Sequence, residues 1–135
     1  MTDDSHFQQF LAAALEQPEP IRVLFVFVAA ELPDDATPAQ RERFLAGKGG
    51  VLAPVMCVDK APGDLSSFAQ LAEESRHAGC SWNMVFAAGL AGSKGRPPEP
   101  AQVDEALQIM VQAIRDGGFS QFAAYDGEGA PVLFE

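Results

Sequence analysis

Apolar and polar positions along the chain follow two rhythms, one of helices and one of strands. From Ser5 onward, Phe7, Phe10, Leu11, Ala14 and Leu15 recur at the spacing of one helix face. Ser5 and Gln8 form an S-x-x-Q capping pattern at its start, and Pro18 and Pro20 stop it. Residues 22–30 (RVLFVFVAA) are an unbroken apolar, β-branched and aromatic run, which predicts a central strand covered on both faces. Thr37, Pro38 and Gln40 set up a second helix start, with Phe44 and Leu45 as anchors and Gly47, Gly49 and Gly50 as its end. Residues 51–58 (VLAPVMCV) predict a second strand. Pro54 has no N–H to give a ladder, so this strand is expected at an edge or bulged. After the loop DKAPG, Asp64 reads as the cap of a third helix carrying Leu65, Phe68, Leu71 and Ala72. Residues 82–90 (WNMVFAAGL) predict a third strand. A Gly- and Pro-rich loop then leads into a fourth helix, from about Ala101 to Arg115. Its apolar stripe is the clearest in the chain: Val103, Ala106, Leu107, Met110, Val111 and Ile114. Residues 119–125 predict a fourth strand, and the turn Asp126-Gly127-Glu128-Gly129 predicts a hairpin into residues 131–134.

This pattern predicts a single α/β domain over residues 1–135, with a mixed sheet of four or five strands and helices packed on it. The order α-β-α-β occurs twice, over residues 5–60 and 64–126. Displacing the first half onto the second lays Phe10 on Phe68, Ala14 on Ala72, Glu16 on Glu74 and Leu32 on Leu90. An internal duplication accounts for this. So does the alternative that both halves independently obey the same capping and strand rules. Under a duplication the strands beginning at Val23 and Met84 lie at the centre of one sheet.

Composition narrows the function classes. The chain has 135 residues, 47% hydrophobic and 21% charged, which suits one folded domain with a core that needs no metal or disulfide. Its formal net charge is −10, and its nine Lys and Arg are scattered without a block. That field disfavours nucleic acid and anionic membrane surfaces as partners. The acidic, polar start MTDDSHFQQF lacks an export pattern, and no apolar run approaches the length of a membrane helix, so a cytoplasmic location is expected. Cys57 and Cys80 stand far apart beside apolar or small residues, which predicts buried free thiols.

Candidate chemistry is sparse. The loop Gly92-Ser93-Lys94-Gly95-Arg96 follows a strand and precedes a helix, so its amides and its two cations could hold a phosphate. It matches neither a P-loop nor G-x-G-x-x-G, and a solvated connection is the alternative. Lys48, between Gly47 and Gly49, occupies the corresponding loop of the first half, where a solvated charge complementing the helix end is the alternative. Lys60 is a further candidate ligand-binding cation; it also lies close to Cys57 in sequence and could lower its thiol pKa, making Cys57 a candidate reactive thiol. The two histidines, His6 and His77, pair with neither cysteine in sequence, and the His and Cys spacings fit no zinc site. Trp82 and Tyr125 are candidate interface anchors, with core packing as the alternative for Trp82 and a capped edge for Tyr125. No catalytic residue, metal or cofactor is assigned on this pattern. It reads as a non-catalytic interaction or adaptor protein with a protein partner. The alternative is a binder of, or enzyme acting on, a small phosphate-bearing ligand through the loops around Lys48 and Lys94–Arg96. Strand pairing between two copies, near Pro54 or at residues 132–134, would give a homodimer.

The strings LFVFVAAELPDDATPAQRERF, GGVLAPVMCVDKAP and LAEESRHAG, followed by W-x-x-VF, resemble a family of short proteobacterial proteins often labelled "ribonucleotide reductase subunit alpha". The resemblance spans nearly the whole chain and implies a bacterial protein associated with ribonucleotide reduction. It carries no catalytic residue over to this sequence.

Overall fold

The computed structural model describes residues 5–31, 35–45, 51–65, 67–79, 81–118 and 122–132. Helix α1 (Ser5–Leu15) leads into β1 (Ile21–Glu31), the longest strand. Helix α2 (Pro38–Leu45) begins at a capping box. The Thr37 N–H donates to Gln40 Oε1 at 2.8 Å, and the Gln40 N–H donates back to Thr37 Oγ1 at 3.2 Å. Strand β2 (Val51–Lys60) follows, then a short 3-10 turn at Pro62–Asp64. Helix α3 (Phe68–His77), strand β3 (Met84–Ala91), helix α4 (Pro100–Arg115) and strand β4 (Ala123–Asp126) complete the order.

The third helix starts later than the sequence predicts. Pro62 and Asp64 sit in the 3-10 turn, and the cap of α3 is Ser67, whose Oγ accepts the Gln70 N–H at 3.1 Å. Two consecutive polar starts compete here, and proline at the first one settles the chain into a short turn.

The strands form one sheet in the order β2-β1-β3-β4, and every pairing is antiparallel, where a mixed sheet was expected. Apolar periodicity locates strands but is blind to their direction. Direction is set by how the strands pair in the folded sheet, and β1 meets both of its neighbours antiparallel. A fifth strand does not form among the described residues. After the turn at Asp126, Pro131 makes a single bridge to Tyr125, and the Val132 N–H donates to the Ala124 carbonyl at 2.9 Å.

β1 and β3 are the inner strands, as their unbroken apolar runs require. Alternation sends Val23, Phe25, Phe27, Val85 and Ala87 to one face, where Phe7 and Leu11 of α1 and Phe68, Leu71 and Ala72 of α3 cover them. Leu24, Val26, Val28 and Phe86 point to the other face, against Val103, Leu107, Met110 and Ile114 of α4. The first helices of the two halves thus share a face, and their first strands are neighbours. Two copies of one unit would give this placement, and so would shared capping and strand rules. The result is one small α/β domain with a helix-covered sheet. None of its described helices is long and apolar enough to cross a membrane.

β2 ends the sheet. Opposite Phe27 and Val28 lie Met56 and Pro54, so Val55 is an extra, bulged residue, 39% exposed. Pro54 therefore marks both an edge and a bulge.

Candidate functional site

The Gly92 loop is a closed turn. β3 ends at Ala91 beside Ile21, and the Gly92 N–H donates to the Pro20 carbonyl at 2.8 Å. Ser93 and Arg96 exchange both backbone bonds at 3.0 Å. Between them Lys94 and Gly95 adopt φ of 55° and 75°, the double positive φ of a tight hairpin turn. Gly92 is required by close approach, since a Cβ there would lie 1.8 Å from the Arg96 carbonyl oxygen.

The amides that could have cradled a phosphate are engaged by the chain itself. The Gly95 N–H donates to Glu19 Oε2 at 2.7 Å. At the start of α4, Glu99 is the cap, and its own N–H donates to Gln102 Oε1 at 2.9 Å. Two carboxylates thus occupy the places an anion would take. Lys94 and Arg96 are exposed and belong to none of the ion pairs among the described residues. They line an open cavity of about 610 Å³ together with Ser93, Pro97, Glu99 and Gln102.

The remaining candidates stand apart from this turn and from each other. Strand alternation puts Met56 and Val58 against the α1/α3 core, and Lys60 follows on that side, where its Nζ meets Glu74 Oε2 of α3 at 2.8 Å. Cys57 and Asp59 point to the α4 side. Lys60 is therefore adjacent to Cys57 in sequence but directed to the opposite face of the sheet. Cys57 is free and exposed, against the expectation of a buried thiol, because it lies on the edge strand where the cover of α4 ends. Lys48, with its flanking glycines, and Cys80 lie outside the described residues. Among the described residues no group of three or more His, Cys, Asp and Glu is placed to hold a metal.

A different site emerges between α4 and β2. The helix packs its stripe down on the sheet and turns its flank toward the sheet margin. Cys57, Leu107, Val111 and the stems of neighbouring polar residues line an open groove of about 370 Å³, with Asp104 towards one end of the helix and Arg115 at the other. These two charges lie eleven residues apart on α4, roughly 16 Å at 1.5 Å per residue. Both are exposed, and neither is in an ion pair among the described residues. Beyond Asp104 the groove leads into a cleft of about 430 Å³ holding Arg22 and Asp59 between Pro97, Pro100 and Val103. There Arg22 Nη2 and Nε donate to Asp59 Oδ2 at 2.6 and 2.9 Å, which neutralises Asp59. The surface is thus apolar in the middle, negative at one end and positive at the other. Sequence reasoning missed it, since it depends on α4 lying across β1 and β2. The one signal was an isolated cysteine alternating with core residues on a strand already marked as an edge by Pro54.

The aromatic candidates are structural. Tyr125 is fully buried, and its hydroxyl lies 2.8 Å from His6 Nδ1. Trp82 donates its indole N–H to Ser75 Oγ at 2.7 Å, stacks edge-on against Phe27 and carries Arg76 over its ring at 5.6 Å.

No family model, curated protein or solved structure matches this chain.

Proposed function

We propose that the chain is a non-catalytic interaction module that docks an extended segment of a protein partner along the margin of β2, with the segment's side chains in the groove beside α4. The observation that carries this reading is the apolar-floored groove lying over an edge strand. An edge strand offers main-chain pairing, and a side-chain groove beside it supplies selectivity, which is how strand-addition modules work. The net charge of −10 favours a partner with a basic surface.

Attaching a photo-crosslinker to Cys57, in a Cys80→Ser background, tests the reading. A single partner peptide should be captured and mapped by mass spectrometry. Excess unlabelled wild-type protein should compete it away, while Gln108→Trp, which fills the groove from an exposed position, should not. Equal competition by both proteins, or scattered adducts with no common peptide, would contradict it.

The second reading is a small phosphate-bearing ligand beside the turn. Lys94 and Arg96, in no ion pair among the described residues and carried on a tight hairpin next to an open cavity, support it. Glu19 and Glu99 oppose it by engaging the amides and adding negative charge. A thermal shift with nucleotides or inorganic phosphate, abolished by Lys94→Ala with Arg96→Ala, would favour this reading over the first.

A further inference from the structure

Resting on the docking reading above, the geometry points to a defined partner sequence. We infer that the segment runs antiparallel to β2 and presents a cation, an apolar side chain and a carboxylate at alternate positions, in that order from its N-terminus.

Three observations carry the inference. The first concerns direction. Cys57 lines the groove that runs from Asp104 to Arg115, while Asp59, two residues later, lines the cleft to which α4 contributes only Pro100, Val103 and Asp104. β2 thus runs toward the Asp104 end of the helix. A strand added antiparallel, as every other pairing in this sheet is, enters beside Asp104 and leaves beside Arg115.

The second concerns length. Pro54 has no N–H and Val55 is bulged, so a regular outer ladder is confined to Met56–Lys60. Within it only Cys57 and Asp59 face α4, so two side chains of an added strand lie opposite them and a third follows one step past the ladder; three such alternate positions span roughly 13 Å. That is close to the roughly 16 Å between the levels of Asp104 and Arg115 on the helix, and long charged side chains bridge the difference.

The third concerns charge. Asp59 is neutralised by Arg22, which leaves Asp104 as the acid at the entry and Arg115 as the base at the exit. Between them the apolar floor is Cys57, Leu107 and Val111, flanked by Gln108 and Gln112, which suits a branched aliphatic side chain and offers a charged one no opposite charge among the described residues. A segment with the reverse charge order meets like charge at both ends.

Fluorescence anisotropy with two labelled peptides tests this at low salt. One contains Lys-Thr-Val-Thr-Glu and the other Glu-Thr-Val-Thr-Lys, each flanked by serines. The wild-type protein should bind the first about tenfold more tightly, the scale of two rim ion pairs replaced by repulsions. The double variant Asp104→Lys, Arg115→Glu should reverse the order, and Gln108→Trp should lose both peptides. Equal wild-type affinity for the two peptides, still lost in Gln108→Trp, overturns the charge order but leaves the docking reading standing. Binding of neither peptide overturns the inference, and the crosslink from Cys57 then decides the docking reading on its own.

Discussion

Tyr125 is the only tyrosine in the chain, and its surroundings make it a reporter of the fold. It is 0% exposed, packed between Phe7 and Phe68, with its hydroxyl on His6 Nδ1. Burial pushes its phenol up to about 12, because the phenolate would lose its hydration. The unfolded chain titrates near pH 10, so between pH 10 and 12 the unfolded state releases a proton that the folded state keeps. The stabilisation is therefore intact below pH 10 and is lost as pH rises towards 12, by an amount of order 2 kcal/mol. Urea unfolding across that range should show a falling stability that Tyr125→Phe flattens, with phenolate absorbance appearing late. A phenolate that titrates near pH 10 in the folded protein would contradict the packing. Little of this was legible in the sequence. Tyr125 beside a turn reads as a capped edge, and nothing local connects it with His6, which α1 brings across 119 positions of sequence.

At the scale of elements, the strongest periodicities carried through. The inner strands announced themselves as runs with no polar face, and α4 as a stripe at helical spacing whose Val103, Leu107, Met110 and Ile114 are all buried. The stripe also separates two neighbouring residues sharply. Met110→Ala should cost about 2–5 kcal/mol, whereas Ile109→Ala, at a position 63% exposed, should stay within about 0.5 kcal/mol. Equal losses in denaturant midpoints would mean that α4 is rotated from the orientation described. What the sequence left open were features set by tertiary contact. The start of α3 moved from Asp64 to Ser67 because two local start signals were available. Strand direction is a property of tertiary pairing, which hydropathy does not encode. The phosphate reading of the Gly92 loop failed to anticipate Glu19, a residue 76 positions away that takes the Gly95 amide.

For the whole molecule, one asymmetry matters most. β2 is the margin where α4 stops covering, and it carries an exposed thiol and an open groove framed by opposite charges. At the far edge, β4 is only four residues long and is flanked by the Asp126 turn, whose Oδ1 accepts the Glu128 and Ala130 amides. The two edges are thus unequal. One is short and folded over by its own turn, in the manner of a protected edge, while the other is long and grooved. Binding through β2 should therefore leave β4 untouched. Amide hydrogen exchange, measured with and without saturating Lys-Thr-Val-Thr-Glu peptide, tests this most directly. Exchange should slow over Met56–Lys60 and along the α4 flank, with no change over Ala123–Asp126 or Ser93–Arg96. Protection at the Ser93–Arg96 turn with β2 unaffected would contradict the account.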